Sequence, residues 1–361
     1  MRRWLGRIGT ALLFVAVALL LAPVVVPPFL DRIYYRGPAS SHFDGHRFFN
    51  PDGPSGPVAG HVPVRALLRF LAGRDRATWP DHLPVTPGHP PARISGGRMV
   101  ATWIGHSTVL VQADGLNILT DPIWAERAGP FGLFGPRRVR APGVRFADLP
   151  HIDLVVVSHD HYDHMDLPTL RRLWARDRPL IVTSLGNGAI LRGAGVPAVA
   201  RDWGGRVAVK PGVAVIVERV HHWSSRWGTD HDRALWSGFT VTLPGGNLFF
   251  AGDTGWGDGS WPVAAARDGP FRLALLPIGA YRPRAMMAES HIDPAQAVAA
   301  FERLGAAYAL GVHWGTFQLS AEAIGDPPRL LGQALDAAGI APDRFRALIP
   351  GQAWEIPAAG R

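Results

Sequence analysis

A short segment near the middle of the chain constrains both fold and chemistry. Residues 155–164 read VVVSHDHYDH, so a run of three valines leads into three histidines and two aspartates. The apolar run predicts a buried strand that ends just before the first histidine. His159 and His161 follow on an extended segment, where alternate side chains point the same way, so both can reach one metal ion. Asp163 and His164 come where the chain turns towards a helix, and they can face a neighbouring ion.

The composition restricts which side chains can hold such an ion. None of the 361 residues is cysteine, so disulfides, cysteine-ligated zinc and cysteine nucleophiles are excluded. Histidine and carboxylate ligands remain, and these suit zinc, with iron and manganese as alternatives. A lone histidine in a loop is usually only solvated, whereas this spacing after an apolar strand is a strong indication of metal binding.

Two metal sites need more ligands than this segment offers, and three later residues can supply them. His222, Asp253 and His313 each follow an apolar run, which predicts that strand ends gather them on one rim of the fold. Asp253 lies close to two glycines and has the short carboxylate that a bridge between two cations needs. His221 stands beside His222, and periodicity does not choose between them.

Short apolar runs alternate with turn signals and helical patterns from Arg98 onward. The 42 glycines and 33 prolines favour many turns over a helix bundle, and a hydrophobic content of 47% supports a large core. Together these features predict an α/β layered domain. The predicted strands are 99–103, 108–112, 117–120, 154–157, 180–183, 213–220, 238–243, 247–251, 273–276 and 309–312, and the predicted helices are 167–176, 294–304 and 328–338.

Three segments are predicted along the chain. Residues 1–27 form a membrane anchor or signal peptide, residues 28–97 a linker and N-terminal cap, and residues 98–361 the catalytic domain. The cap includes one expected helix at 64–71.

The N-terminus contains an uncharged apolar run. Residues 8–26 span nineteen residues, about the length needed to cross a hydrocarbon core of roughly 30 Å. Arg2, Arg3 and Arg7 precede the run, so the positive-inside rule predicts a single-pass transmembrane helix in the cytoplasmic membrane, with the catalytic domain on the periplasmic or extracellular side. A cleaved signal peptide is the alternative, although no clean small-x-small cleavage site follows the run directly.

The chain is basic, with a formal net charge of +8 and Lys210 as the only lysine among 37 basic residues. This balance suits nucleic acid, an anionic membrane or an acidic substrate, but a general bias towards arginine explains it equally well. No recognised nucleic-acid module is present, so no nucleic-acid partner is expected. The loop 124–138 mixes aromatic side chains with arginines, which suits contact with lipid; the alternative is that these side chains cap the core.

Several sequence blocks resemble the metallo-β-lactamase superfamily. More narrowly, they resemble the zinc-dependent phospholipase D family that hydrolyses N-acyl-phosphatidylethanolamine, together with its bacterial relatives. In that family the metal ligand lies in a His-Trp pair, so the resemblance selects His222 over His221. The blocks follow the family order and are WIGHST (103–108), LTDPI (119–123), GPRR (135–138), SHDHYDHMD (158–166), HW (222–223), FFAGDTG (249–255), PIGAYRP (277–283), HIDP (291–294) and HWGTF (313–317).

The resemblance implies an αββα metallo-β-lactamase sandwich with two metal ions at one edge of its two sheets. Zinc is the expected metal, with Mn²⁺ or Fe²⁺ as alternatives. The implied ligands of the first ion are His159, His161 and His222, those of the second are Asp163, His164 and His313, and the implied bridge is Asp253.

The implied activity is a phospholipase D-like phosphodiesterase that acts on N-acyl-phosphatidylethanolamine or a related membrane phospholipid through a metal-bridging hydroxide. Asp163, Asp253 and His291 are the expected catalytic residues. His291 either contacts the phosphate or leaving group, or only begins the helix predicted at 294. His106 is expected to support the site without binding metal, and Asp121 either bonds a ligand histidine or only shapes a turn.

Two other functions remain open from the sequence. One is a lactonase of the same fold, and the other is a non-catalytic membrane-tethered protein that binds metal. The blocks around residues 249–255 and 277–283 favour the phosphodiesterase. Dimers occur among the relatives, so a homodimer is an expected oligomeric state.

Overall fold

Strand alternation determines how the layers of this protein pack. The structure, a computed structural model, describes residues 2–30, 32–56, 73 and 76–358. On one strand, Val109 and Val111 face a core shared with the second sheet, while Leu110 between them faces a separate core on the opposite side. The first sheet is therefore covered on both faces, as the predicted αββα sandwich requires.

The described residues form two sheets of seven strands each. The first has the order β14-β1-β2-β3-β4-β5-β6 and the second the order β13-β12-β11-β10-β9-β8-β7. The strands of the first sheet are β1 Met99–Gly105, β2 Thr108–Ala113, β3 Leu116–Thr120, β4 Leu154–Val157, β5 Leu180–Ser184, β6 Val199–Arg201 and β14 Ala353–Ile356. Those of the second are β7 Arg206–Lys210, β8 Val213–Glu218, β9 Gly238–Thr242, β10 Asn247–Phe250, β11 Phe271–Pro277, β12 Tyr308–Val312 and β13 Phe345–Arg346.

Helices cover the outer faces of the sheets. Leu170 and Leu173 pack in the outer core of the first sheet, and Val298 and Phe301 pack in the core that includes the second. Asp293 begins its helix by accepting a hydrogen bond from the backbone N–H of Gln296. The helices of the described residues are α1 Arg2–Leu30, α2 Leu167–Asp177, α3 Asn187–Gly193, α4 Trp261–Ala265, α5 Arg284–Met287, α6 Pro294–Leu304 and α7 Asp326–Ala338.

The ten predicted strands and three predicted helices are confirmed, with shifts at their ends. Sequence reasoning missed β6, β7, β13 and β14, which have two to five residues each and mixed burial. So short a strand carries too little alternation to stand out from a loop. The expected helix at 64–71 lies outside the described residues.

The N-terminal segments differ from expectation in two ways. In the part of the chain that the structure describes, no helix has the length and mean hydropathy needed to cross a membrane. The expected transmembrane helix is therefore unsupported, although α1 does form. Part of the predicted linker is also built into the fold, since Phe43 and Phe48 are each 2% exposed and belong to the main core.

Candidate metal centre

The strand directions explain why the candidate ligands meet. In the first sheet β1, β3 and β4 run the same way, because β2 is antiparallel to both of its neighbours and β4 is parallel to β3. In the second sheet β8, β10 and β12 likewise share one direction. The carboxyl ends of such strands meet at the same edge of each sheet. The polar side chains that follow these ends are His106, Asp121, His159, His222, Asp253 and His313.

The first group of potential ligands consists of three histidines. His159 Nε2 and His161 Nδ1 are 2.8 Å apart. The ring centroid of His222 lies 4.7 Å from that of His159 and 5.2 Å from that of His161. One nitrogen from each ring falls within 4.8 Å of the others. The structure thus places His222, rather than His221, beside the pair.

The second group combines a carboxylate with two histidines. Asp163 Oδ2 lies 3.3 Å from His164 Nε2 and 3.5 Å from His313 Nε2. The two rings stack with an interplanar angle of 13°. Asp163 also bonds His106 Nε2 at 2.9 Å. His106 therefore holds the carboxylate in place, as expected of a supporting residue, although its own nitrogen also lies within reach of this group.

Asp253 lies between the two groups. Its Oδ2 is 3.1 Å from His164 Nε2 and 3.0 Å from His313 Nε2 in the second group. The same oxygen is 4.0 Å from His222 Nε2 in the first group. This position fits the bridging role that the resemblance implies.

The cluster passes a physical test for metal binding. Buried polar atoms normally have hydrogen-bond partners, yet the Nε2 atoms of His164, His222 and His313 and the Oδ1 atom of Asp253 lack a well-directed one among the described residues. Ligands about 2.0–2.1 Å from a tetrahedral zinc ion stand about 3.3 Å apart, close to the 3.0–3.5 Å between the carboxylate oxygens of Asp163 and Asp253 and the Nε2 atoms of His164 and His313. These side chains fit metal ions.

Hydrogen bonds on the far side of three rings fix which nitrogen faces the cluster. His222 Nδ1 donates to the Ser290 carbonyl at 2.9 Å, and His164 Nδ1 donates to Asp121 Oδ2 at 2.6 Å. His159 Nδ1 lies 2.9 Å from the hydroxyl of Ser158. In the neutral form of each ring these bonds place the proton on Nδ1, which leaves the lone pair of Nε2 for a metal ion.

Asp121 and Ser158 form a relay behind the cluster. Asp121 is fully buried and accepts hydrogen bonds from the Ser158 backbone N–H at 2.7 Å and from the Ser158 hydroxyl at 2.5 Å. The same carboxylate thus supports His164 directly and His159 through Ser158. Asp121 bonds His164, a candidate ligand, as one of the two sequence interpretations held. The role of Ser158 was missed, because a serine at a strand end carries no signal of its own.

Mutual attraction sets the protonation of the second group. Burial opposes a charged His164, but the carboxylates of Asp253 and Asp163 raise the pKa of its ring well above the usual value. The pKa of His313 rises to about 9 against the same burial, again because Asp253 and Asp163 face it. Burial, reinforced by neighbouring histidines, instead holds the pKa of His159 and His222 well below the usual range.

This asymmetry predicts proton release on metal binding. Metal-free protein at pH 7 carries protons on His164 and His313 that a metal ion must displace, whereas the first group is already neutral. Metal affinity of the second group should therefore rise with pH up to about 9, while that of the first group should change little. Calorimetric titration in buffers of different ionisation enthalpy measures the protons released. Equal release from both groups would contradict the assignment.

Gly252 allows the relay to form. The residue has a φ of +61°, and a Cβ added to it would lie 2.6 Å from the Cβ of Ser158. Gly252→Ala should therefore push Ser158 away from Asp121 and weaken metal binding about tenfold or more. Metal content after dialysis measures the effect. Gly269→Ala is the matched control, because an added Cβ there also meets a close neighbour, at 3.1 Å, but lies before the start of β11, at the opposite edge of the sheet from the cluster. Equal metal loss in both variants would refute the explanation.

His291 faces the cluster as well as preceding α6. Its Nδ1 lies 3.8 Å from Asp253 Oδ2, and its ring is 5.3 Å from that of His222. Burial lowers the pKa of His291 to about 3, so the ring is neutral at pH 7. Asp293, two residues later, is the residue that caps the helix. Both sequence interpretations of His291 are therefore compatible with its position.

The loop 124–138 divides into two parts. Phe131, Leu133 and Phe134 are 75%, 70% and 61% exposed, so they do not cap the core. Trp124 packs edge-on against Phe146, and Arg138 donates to two backbone carbonyls in the interior. Burial lowers the pKa of Arg138 to about 10.

A two-sheet α/β sandwich with a histidine- and aspartate-rich cluster at one sheet edge defines a class, the metal-dependent hydrolases of αββα type. Residues 116–314 match the family model described as "Beta-lactamase superfamily domain". The chain belongs to the metallo-β-lactamase superfamily.

Known proteins similar to the chain agree with this assignment. An uncharacterized protein of Mycobacterium tuberculosis is 36% identical over 303 residues, covering 82% of this chain and 80% of the relative. The N-acyl-phosphatidylethanolamine-hydrolyzing phospholipase D 1 of Caenorhabditis elegans is 36% identical over 270 residues, covering 71% of this chain and 76% of the relative. The metallo hydrolase Igni18 of Ignicoccus hospitalis shares the fold, with a TM-score of 0.56, 23% identity and coverage of 72% and 99%.

Proposed function

We propose that this protein is a dinuclear zinc hydrolase of the phospholipase D type, which cleaves a phosphodiester bond of N-acyl-phosphatidylethanolamine or a related phospholipid. The observation that carries the proposal is the convergence of two groups of potential metal ligands around Asp253. The similarity to the Caenorhabditis elegans phospholipase D favours this substrate class over others hydrolysed by the superfamily.

Each group of side chains has a task in this proposal. His159, His161 and His222 would hold one ion, and Asp163, His164 and His313 the other, with Asp253 between them. Two bound zinc ions would acidify water and stabilise negative charge on phosphate oxygens. Asp121 and His106 keep the ligands oriented towards the ions.

His291 is the proposed contact to the phosphate. The neutral ring keeps a proton on one nitrogen, so it can donate a hydrogen bond to a phosphate oxygen or leaving group beside Asp253. Asp163 and Asp253 stay ionised at neutral pH, because His164 and His313 offset the burial that would otherwise raise the pKa of each carboxyl. They therefore keep the negative charge that metal ligands need.

Exposed apolar side chains support a lipid substrate. Phe131, Leu133 and Phe134 project from a loop that continues into Arg137, and this combination suits contact with lipid tails and phosphate headgroups. The location at the cytoplasmic membrane, the outward-facing catalytic domain and the homodimer stay predictions from the sequence.

The test is substrate turnover by the full chain, loaded with Zn²⁺ or Mn²⁺. The substrates are a synthetic N-acyl-phosphatidylethanolamine in vesicles, a chromogenic phosphodiester and a lactone. We expect release of an N-acylethanolamine and phosphatidic acid, with slower turnover of the chromogenic substrate. Turnover of the lactone alone would favour the lactonase. No turnover of any substrate by protein with two bound metals would refute the phosphodiesterase and favour a non-catalytic metal-binding protein.

A further inference from the structure

A strap of nine residues from outside the family-matched region lies against the loops that carry His222 and His291. The strap comprises residues 48–56, whereas the family model matches residues 116–314. It is anchored at its start, where the Phe48 N–H donates to the Asp232 carbonyl at 2.8 Å. Its polar groups then point at the loops that carry His222 and His291.

Asn50 fixes the backbone of a candidate ligand. The side chain is 8% exposed, and its Nδ2 donates to the carbonyl of His222 at 2.8 Å. Its Oδ1 accepts a hydrogen bond from Trp236 Nε1 at 2.9 Å. Because the amide is bonded on both sides and the tryptophan is buried, the carbonyl of His222 is held in one position.

Asp52 holds the residues directly before His222. Its carboxylate lies 2.6 Å from Arg219 Nη2 and 3.1 Å from His221 Nδ1. It also accepts from the backbone N–H of Asp258 at 3.2 Å, in the loop that follows Asp253. Asp52 thereby ties the His222 segment to the Asp253 segment.

The end of the strap supports the ring of His222 from the other side. The Ser55 hydroxyl donates to the Glu289 carbonyl at 2.5 Å, and the Gly56 N–H donates to the Ser290 hydroxyl at 3.2 Å. The carbonyl of Ser290 is the acceptor for His222 Nδ1. The strap therefore positions both the backbone and the ring proton of this histidine.

A second ligand of the first group is supported through Trp223. A Cβ on Gly56, which has a φ of +91°, would lie 3.1 Å from the Trp223 ring, so the strap passes directly over the indole. Trp223 also packs edge-on against the ring of His161, at a centroid distance of 4.3 Å. In the second group Asp121 bonds His164 and His106 bonds Asp163, and neither bond involves the strap.

We infer that Asn50, together with Asp52, is a positioning residue that sets the metal affinity of the His159, His161 and His222 group through the contacts of the strap, and leaves the Asp163, His164 and His313 group nearly unaffected. The inference rests on the proposed function, since it requires that the two groups bind metal. It assigns a role in the site to a segment before the family domain. Groups that hold metal-ligating histidines typically change metal affinity 10–100-fold when removed.

The test measures Co²⁺ and Zn²⁺ affinity by chelator competition in the full chain. Each group is measured in a background that lacks a ligand of the other group. His313→Ala removes a ligand of the second group and keeps the first intact, and His161→Ala removes a ligand of the first group and keeps the second intact. We expect Asn50→Ala to weaken binding about 10–100-fold in the His313→Ala background and less than about threefold in the His161→Ala background. The visible absorption of bound Co²⁺ should change only in the His313→Ala background. A general loss of stability would not change the absorption in one background alone.

Two further variants separate positioning from packing. Asn50→Asp keeps the acceptor for Trp236 but cannot donate to the carbonyl of His222, so it should bind metal no better than Asn50→Ala. Asn117→Ala is the matched control, because Asn117 is also buried and donates to two backbone carbonyls, but at the start of β3. It should lower the unfolding temperature without changing metal affinity.

The outcomes distinguish this inference from the proposed function. Wild-type protein that binds no metal would overturn both. If wild-type protein binds two metals, two results would overturn the inference about the strap alone. One is that Asn50→Ala lowers the metal affinity of both groups equally, and the other is that Asn117→Ala lowers metal affinity as much as Asn50→Ala does. Recovery of affinity in Asn50→Asp would also overturn it.

Discussion

Asp253→Asn should abolish nearly all hydrolysis and release one of the two metals. The carboxylate approaches histidines of both groups, at 3.0–3.1 Å in one and 4.0 Å in the other. An amide keeps the shape but loses the charge that draws the two cations together. Metal ions contribute several kcal/mol to transition-state stabilisation, and each 1.36 kcal/mol is tenfold in rate, so we expect a loss of about 1,000-fold or more.

The measurement is turnover together with metal content per chain. Asp258→Asn serves as the control, because Asp258 lies in the same loop but is exposed, and its carboxylate accepts from the Ser260 N–H on the loop itself, a bond that an asparagine oxygen can keep. It should keep full activity and both metals. If Asp253→Asn kept full activity and both metals, the assignment of the ligands would be wrong.

Asp121→Asn should have the second-largest effect, although this residue contacts no metal-facing atom. Its Oδ2 accepts hydrogen bonds from His164 Nδ1 and from the hydroxyl of Ser158. Because the Asp121 Oδ1 atom already accepts from the Ser158 N–H, the NH₂ group of an asparagine would face the His164 ring, where two donors oppose each other. His164 would then move its proton to Nε2, the atom that faces the second metal group.

We expect metal affinity of the second group to fall about 10–100-fold, with a similar fall in activity. The loss should be partly rescued by raising the zinc concentration, because the ligands themselves remain. Asp177→Asn is the control, since Asp177 has a 5% exposed side chain that accepts from the Ile152 N–H, at the far end of α2. Unchanged zinc affinity in Asp121→Asn would show that the relay has no role in orienting the histidine.

The sequence predicted the residues that orient the second group of candidate ligands better than those that orient the first. Asp121 lies at the end of a recognisable strand and in a block shared with the family, so a link to a ligand histidine was among its expected roles. Ser158, Asn50 and Asp52 gave no such signal. Asn50 follows two phenylalanines in a segment rich in proline and glycine, which resembles an ordinary linker, and its partner His222 lies 172 residues away along the chain.

The sequence by itself determined ten of the described strands and the seven candidate ligands, because these depend on patterns within a few residues, and the family blocks implied the αββα layers. Apolar alternation defines a strand, a polar residue at its end marks the rim, and the family blocks select His222 from its neighbour. Only the tertiary structure decided which atoms face one another. It placed Asp253 between the groups, exposed Phe131, and turned part of the predicted linker into a strap over His222. Such contacts join residues that are far apart in the chain. A local sequence pattern therefore cannot identify the partner of each side chain in the folded protein.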